Sequence, residues 1–326
     1  MWQTIGHEWA IDLIERALAS GHVAQANLLT GPAGIGKTHL AWALAAALNC
    51  QGEARPCGVC QACTLTARGQ HPDVTLVEPD GARLKIDQVR TLQHTLALSP
   101  VMGRWRVAIL PGFEAATREA ANALLKTLEE PPARVVLILT AADAELLLPT
   151  VVSRCRVLAL RPVPGATIAR ALQDRLGISS EQAQMLARVS GGRPGWALRA
   201  AQDPALLAAR SQQLAGLEEL LSANRLDRLD AAERLAKADD LDDLLALWQT
   251  WWRDVALIAL GCGDLITNLD HREPLQRAAA GLTAAGAVQV ERGLARARAQ
   301  LLKNVNARLA LDAALLQWPR VNARSS

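Results

Sequence analysis

A parallel α/β domain followed by two all-helical domains is what this sequence predicts, and three observations predict it. From Ala26 to about Leu160, short apolar β-rich runs alternate with helical stretches, the pattern of a parallel sheet buried on both faces. The segment Arg161-Pro162-Val163-Pro164-Gly165 then breaks the pattern, because two prolines and a glycine sit poorly inside either regular element. From Pro204 onward strand signals stop and leucines recur at helical spacing. The expected boundaries are 1–161 for the α/β domain, 162–205 for a small helical domain and 206–326 for a helical bundle.

The strands expected in order are Ala26–Thr30, Val74–Val77, Arg106–Leu110, Arg134–Thr140 and Val157–Leu160. A helix over His39–Asn49 follows the first, and another, around Glu114–Glu129, follows the third. Short helices should fill Ala166 to Asp203, with Gly191-Gly192-Arg193-Pro194-Gly195 as an internal turn. The last residues, Asn322 to Ser326, are expected to fray.

Composition narrows the function classes. The 326 residues include 35 basic and 32 acidic ones, a net charge of +3, which excludes a polybasic nucleic-acid coat while leaving room for a local basic face. No run of 18 or more apolar residues is present, so no membrane-spanning helix is expected. The segment Met1 to Ser20 carries Glu8, Asp12 and Glu15 among its apolar residues, unlike a signal peptide, and a cytoplasmic protein is expected.

Gly31-Pro32-Ala33-Gly34-Ile35-Gly36-Lys37-Thr38 fits the phosphate-binding pattern G-x-x-x-x-G-K-[ST], with a strand expected before it and a helix after it. The glycines let successive backbone N–H groups curl around phosphate oxygens, and the helix presents its positive end. Lys37 would neutralise the outer phosphates and the Thr38 hydroxyl would ligate Mg²⁺; the plainer alternative is a glycine-rich turn with no ligand. ATP or ADP with Mg²⁺ is the expected ligand. The hydrolytic carboxylates, however, are missing. The strand Arg106–Leu110 runs into Pro111-Gly112-Phe113-Glu114, and neither Pro111 nor Gly112 can hold a metal or take a proton through its side chain. Loss of a positioned general base costs roughly 10²–10⁴-fold. Binding without useful turnover is therefore expected, with Glu114 as the residue that could restore it.

Cys50, Cys57, Cys60 and Cys63 form C-x6-C-x2-C-x2-C. Overlapping C-x2-C turns bring thiolates to one ion, Gly58 eases the turn, and Cys50 at a helix end closes a tetrahedron of four sulfurs. An iron–sulfur ligand set would need a cysteine where Ala67 stands. A structural Zn²⁺ is the expectation, since four thiolates leave no open position for catalysis.

These motifs, together with His71-Pro72-Asp73, Ile86-Asp87-Gln88-Val89-Arg90, Asn122-Ala123-Leu124-Leu125-Lys126-Thr127-Leu128-Glu129-Glu130-Pro131-Pro132 and Ser153-Arg154-Cys155, resemble bacterial clamp loaders of the AAA+ class. The likeness is dense over residues 20–160 and thinner beyond; near the end, Asn304-Val305-Asn306-Ala307-Arg308-Leu309 resembles the last collar helix of such proteins. It implies an AAA+ module with a zinc knuckle over 50–63, a helical lid and an all-α collar that assembles subunits. Such assemblies are hetero-pentamers of motor subunits, a delta-type subunit and a subunit that usually does not hydrolyse ATP. They load the sliding clamp onto primed DNA. Three departures from the motor pattern favour the non-motor branch: Pro111-Gly112 for an Asp-Glu pair, Ala142 for a polar residue after the fourth strand, and Gly195, with Arg193 offset, for a lid arginine. The resemblance further implies that Arg154 completes a neighbour's ATP site in trans; a locally paired surface arginine is the alternative.

Trp248, Trp251 and Trp252 share one helix face, which reads as core packing or as a contact between collars. Arg118 and Lys126 read as solvated helix charges or, by family analogy, as DNA-tracking residues. Two other functions compete: a motor-type ATPase using Glu114, and a free-standing zinc- and nucleotide-dependent DNA-repair factor.

Overall fold

Five strands form one parallel sheet in the order β2-β3-β4-β1-β5, in a computed structural model that describes residues 2–81, 83–238, 240–302 and 305–319. In chain order the first elements are α1 (Glu8–Ser20), β1 (Ala26–Thr30), α2 (Lys37–Asn49), α3 (Gln61–Ala67), β2 (Val74–Leu76), α4 (Ile86–Leu96) and β3 (Arg106–Leu110). They continue with α5 (Arg118–Glu129), β4 (Val135–Ala141), α6 (Pro149–Val152), β5 (Arg156–Ala159), α7 (Gly165–Leu176), α8 (Ser180–Val189) and α9 (Pro194–Gln202). The remaining helices are α10 (Pro204–Ser222), α11 (Arg225–Leu235), α12 (Leu241–Ala259), α13 (Arg272–Ala280), α14 (Ala284–Leu302) and α15 (Ala307–Leu315).

Alternate residues of the three central strands, β1, β3 and β4, feed two cores. Val135, Leu137, Leu139 and Ala141 of β4 pack with Val89 and Leu92 of α4 and Leu124 and Leu128 of α5. Val136 and Ile138 face Ile14 of α1 and Leu40, Leu44 and Leu48 of α2. Burial on both faces explains why the central strands read as unbroken apolar runs. The expected fold class, an α/β module with a parallel sheet and flanking helices followed by helices alone, is the one observed.

Boundaries differ from expectation for local reasons. Arg134 sits at φ 62°, so the fourth strand begins at Val135 and runs to Ala141. The fifth starts a residue early because Arg156 pairs with Asn27. The second ends at Leu76, although Val77 N–H still donates to the Ile109 carbonyl at 2.9 Å. Pro194 and Gly195 open α9 rather than ending a turn, since proline is tolerated in a first helical turn. Phe113–Ala115 is a separate 3-10 turn, and α5 starts at Arg118 behind the Thr117 hydroxyl, which accepts from Ala120 N–H at 3.2 Å. Of the stretch resembling a last collar helix, Asn304 lies outside the described residues, as do Asn322 to Ser326; Asn306 caps α15 by accepting from Leu309 N–H at 3.2 Å.

By contacts the chain divides into two compact units, Met1–Ala171 with Gly192–Trp196, and Leu172–Gly191 with Ala197–Ser326. In the second unit α12 is central. Trp248, Trp251 and Trp252 are all buried there, and Trp248 and Trp252 meet Trp318 edge-on at 5.3 and 5.4 Å. The tryptophan face is therefore core within one chain. Two buried polar groups organise the same unit. Asp254 accepts from the N–H groups of Thr267 and Asn268 at 2.8 and 2.7 Å. Arg228 donates to carbonyls of Leu220, Leu221, Leu315, Trp318 and Pro319, joining the C-terminal end of α10 to that of α15. Among the described residues no helix is long and apolar enough to cross a membrane.

Candidate functional site

The loop between β1 and α2 is built on backbone freedom. Gly31, Gly34 and Gly36 take φ of 142°, 77° and 111°, values a side chain would strain. Gly36 stands at the start of α2 and offers no side-chain acceptor to cap it, so the positive helix end is turned to whatever the loop holds. Gly31 N–H is tied to the end of β4 through the carbonyls of Ala141 and Ala142, at 3.3 and 3.1 Å. The Lys37 ammonium donates to the carbonyls of Gly31 and, at 3.1 Å, Pro32, closing the loop's base, while Thr38 is exposed and Ile35 buried. Chemically, such a loop can hold the phosphates of a nucleotide.

Two contacts brace this loop, and sequence reasoning anticipated neither. His7, itself buried at φ 64°, shares a hydrogen bond through Nε2 with the Ile35 carbonyl at 3.0 Å; no motif signals it. The second contact is at Gly195, whose N–H donates to the Gly34 carbonyl at 2.8 Å. A Cβ on Gly195 would lie 3.0 Å from that oxygen, so the glycine read as replacing a lid arginine is also what lets α9 approach the loop. Arg193 stacks over the Trp196 ring at 5.5 Å.

The end of β3 offers no carboxylate. Pro111 is followed by Gly112 at φ 60°, whose N–H donates to Thr140 Oγ1 at 3.1 Å. Glu114 is exposed, and its Oε1 accepts from Ala142 N–H at 3.0 Å, beside the carbonyl that receives Gly31. The carboxylate thus reaches the neighbourhood of the loop but is occupied in capping the end of β4.

The structure brings the four cysteines together. Their sulfurs all lie within 4.8 Å of one another, and the Cys57–Cys63 and Cys60–Cys50 separations are both 4.0 Å. A Zn–S length of about 2.3 Å sets tetrahedral S···S edges near ~3.8 Å, so the residues present fit the ion. Cys50 caps the end of α2 and Cys60 the start of α3. Gly58 turns the chain at φ 79°, and a Cβ on Gly52 would lie 2.9 Å from Cys57 Cβ. Backbone N–H groups already point at sulfur: Cys57 donates to Cys50 at 3.3 Å and Cys60 to Cys57 at 3.4 Å. The N–H groups of Val59 and Cys60 bring the Cys57 thiol down to about 6, whereas burial pushes Cys63 up to about 12. A cation bound by all four sulfurs would displace their protons, so its binding would strengthen with pH. Cys155, pushed up to about 11 by burial, stands apart from the cluster.

A brace lies under the cluster. Asn49 Oδ1 accepts from the N–H groups of Arg104 and Trp105, both at 2.9 Å, immediately before Cys50. The loop before these residues is fixed by Asp73, whose carboxylate accepts from Val101, Met102 and Gly103 N–H at 2.6, 2.8 and 2.7 Å. Burial opposes the Asp73 charge, but these N–H groups and Arg106 outweigh it and hold the carboxyl below its ordinary range. The motif His71-Pro72-Asp73 is visible in the sequence; its role as a loop clamp is not.

Arg154 lies at the opposite end of the sheet from the phosphate loop. β1 and β5 are parallel and pair from Asn27↔Arg156 to Thr30↔Ala159. Arg154 precedes the amino end of β5 and Gly31 follows the carboxyl end of β1. Four residues of strand separate the two ends, about 13 Å at ~3.3 Å per residue, beyond the reach of one side chain. Arg154 Nη1 donates to the Thr150 carbonyl at 2.9 Å, and Nη2 pairs with Glu129 Oε1 at 2.5 Å. Arg118 and Lys126 are exposed on α5.

Similarity to known proteins agrees with this arrangement. The family profile described as DNA polymerase III, delta subunit, matches residues 6–164, and its C-terminal counterpart matches residues 204–320. DNA polymerase III subunit delta' of Pseudomonas aeruginosa is 36% identical over 316 residues, which cover 90% of this chain and 92% of that protein. DNA polymerase III subunit delta' of Bacillus subtilis is 32% identical over 182 residues, covering 55% of this chain and 54% of that one. Among solved structures, a DNA polymerase III gamma subunit-related protein of Thermotoga maritima aligns over 95% of this chain and 99% of its own, at 18% identity and a TM-score of 0.39. With more than a third of residues identical along nearly the whole of both chains, this chain belongs to the DNA polymerase III subunit delta' family.

Proposed function

We propose that this chain is the non-motor subunit of the clamp loader of the DNA polymerase III holoenzyme, working in the cytoplasm to help load the sliding clamp onto primed DNA. It assembles with motor subunits and a delta-type subunit in a hetero-pentamer through the helices of 206–326, with 162–205 as the lid and 1–161 as the AAA+ module. The observation that carries the non-motor reading is the end of β3, where Pro111 and Gly112 supply no group for metal or proton. The phosphate loop still binds ATP or ADP with Mg²⁺ through Gly31, Gly34, Ile35, Gly36, Lys37 and Thr38. Cys50, Cys57, Cys60 and Cys63 hold one structural Zn²⁺, which ties α2 to α3 and has no part in the reaction.

Arg154 acts in trans as the arginine finger of a neighbouring motor site. Its distance from the phosphate loop of its own chain supports this, because the guanidinium serves another chain's phosphates or none. A planar, permanently charged donor fork suits charge developing on a γ-phosphate. Such fingers are worth roughly 10³–10⁵ in rate at the site they serve, and a ring with several sites loses less overall. The test is steady-state ATP hydrolysis by reconstituted complexes, with assembly followed by native mass spectrometry. Arg154→Ala should leave the pentamer intact and lower DNA- and clamp-stimulated hydrolysis, with Arg154→Lys a poor substitute. Parental hydrolysis and loading by Arg154→Ala complexes would return the residue to a structural role.

A second reading rests on Glu114, whose carboxylate lies beside Ala142 near the loop. A motor using it as a displaced catalytic group would hydrolyse ATP alone, with DNA stimulation, and lose that activity in Glu114→Gln.

A further inference from the structure

We propose that Glu129 is a positioning residue for Arg154. The inference rests on the reading of Arg154 as a finger acting in trans and adds how the finger is aimed. The backbone around Arg154 is fixed: Ser153 N–H donates to the Pro149 carbonyl at 2.9 Å, Arg154 N–H to Val151 at 3.2 Å and Cys155 N–H to Val152 at 3.1 Å. The side chain beyond it is long and has several rotatable bonds, which at an exposed position leave its guanidinium free to wander. Two anchors from different directions remove that freedom here. The Thr150 carbonyl takes Nη1 from within the same turn, at 2.9 Å, and Glu129 Oε1, on the last residue of α5, takes Nη2 at 2.5 Å.

The pair is not buried: 34% of the Arg154 side chain and 48% of the Glu129 side chain remain accessible. An exposed ion pair of this kind contributes little to stability, and its consequence lies instead in direction. A guanidinium has five N–H donors. Two anchored nitrogens fix its plane, Nη1 also lies 3.4 Å from Ser153 Oγ, and the donors not turned to Thr150, Ser153 and Glu129 are left for an incoming phosphate. Glu129 is itself held, because α5 is tied to α4 through Gln93, whose Nε2 donates to Thr127 Oγ1 and the Ala123 carbonyl at 2.8 and 2.9 Å. The finger is therefore referenced to the helical layer over the sheet and not only to its own turn.

The experiment uses the reconstituted complex in which the motor sites not facing Arg154 are silenced by substitution of their phosphate-loop lysines. Glu129→Ala should lower kcat about 3- to 10-fold, a fraction of what a freed arginine side chain can lose in ordering, because the Thr150 anchor survives. KM for ATP, zinc content and pentamer mass should not change. Glu129→Gln keeps an oxygen acceptor and should restore most of the rate, which a purely electrostatic role would not allow. Glu129→Ala combined with Arg154→Ala should be no slower than Arg154→Ala alone. If Glu129→Ala fails to assemble, Glu129→Asp, one methylene too short, takes its place with the same expected loss. Parental kcat in Glu129→Ala beside a slow Arg154→Ala overturns the positioning role and leaves the finger standing. Parental kcat in Arg154→Ala overturns the finger, and the positioning role with it.

Discussion

Asp73→Asn is a nearly isosteric change at the clamp beneath the cysteine cluster, and its effect can be worked from the contacts. The carboxylate is buried; Oδ1 accepts from Val101 N–H, and Oδ2 from Met102 and Gly103 N–H. The best an asparagine can do is place its oxygen where two donors converge and turn its amide N–H₂ toward Val101. That leaves one N–H facing another and weakens the two bonds that remain. Hydrogen bonds to charged groups contribute roughly 1.5–3 kcal/mol each and an unsatisfied buried donor costs about 1–3, so a net loss of about 2–4 kcal/mol is expected. Arg106, buried beside Asp73 with Nη2 3.9 Å from Oδ1, keeps its bonds to the Leu98 and Ser99 carbonyls but loses its counter-charge. The assay is urea unfolding together with amide hydrogen exchange at residues 101–103, which should exchange faster in the variant. The pH dependence carries a sign. The folded carboxyl lies below its ordinary value of 3.8, so the unfolded chain binds the proton more readily. Its stabilisation is present above that value and is lost as pH falls through the lower folded one; Asp73→Asn lacks this component. A variant within about 0.5 kcal/mol of the parent, the range of an ordinary surface substitution, would refute the clamp.

Other perturbations separate the remaining parts. Cys60→Ser should reduce bound zinc from about one equivalent per chain to well below it, measured by metal analysis after chelator-free purification; full retention would remove Cys60 from the ligand set. Lys37→Ala should weaken ADP binding roughly tenfold or more in calorimetry, since charge-assisted bonds to phosphate are lost, while clamp loading by the assembled complex falls only mildly. A collapse of loading with assembly intact would mean that this site drives the cycle. Arg228→Met keeps the apolar stem but strands the carbonyls at the ends of α10 and α15, a destabilisation of roughly 3–5 kcal/mol in urea melts with loss of pentamer at low concentration.

The sheet was legible because its central strands are continuous apolar runs between loop-forming residues, and the cysteine cluster because overlapping C-x2-C spacing constrains geometry by itself. Residues whose roles depend on partners distant in sequence were not. His7 meets Ile35 and Asp73 meets residues 101–103, contacts that only the tertiary fold creates. The early start of α9 was hidden because Pro194-Gly195 reads as a turn, yet proline needs no N–H in a first turn and Gly195 needs no side chain against Gly34. The tryptophans could be placed on one face from their spacing, but whether that face met its own chain or another required Trp318, some 66–70 residues later, to be seen among them.

The retained phosphate loop and the absent carboxylates are compatible for a structural reason. The loop is a junction as well as a ligand site: Gly31 joins it to β4, Ile35 to His7, and Gly34 to the start of α9. Each of these bonds uses loop backbone in conformations that Gly31, Gly34 and Gly36 permit, so the glycines serve the fold even where no phosphate is turned over. Lys37 contributes to the same junction by donating to Gly31 and Pro32. The end of β3 has no such second duty. Gly112 contributes backbone alone, its N–H to Thr140 and its carbonyl to Ala115 N–H at 2.9 Å, in a turn at φ 60° that calls for no functional side chain. The carboxylates that hydrolysis requires can therefore be absent without disturbing the sheet, whereas losing the loop glycines would detach the N-terminal segment and the turn before α9 from it. Under the function proposed above, such a module binds nucleotide without turning it over, and its proposed contribution to chemistry lies at the other end of the sheet, at Arg154.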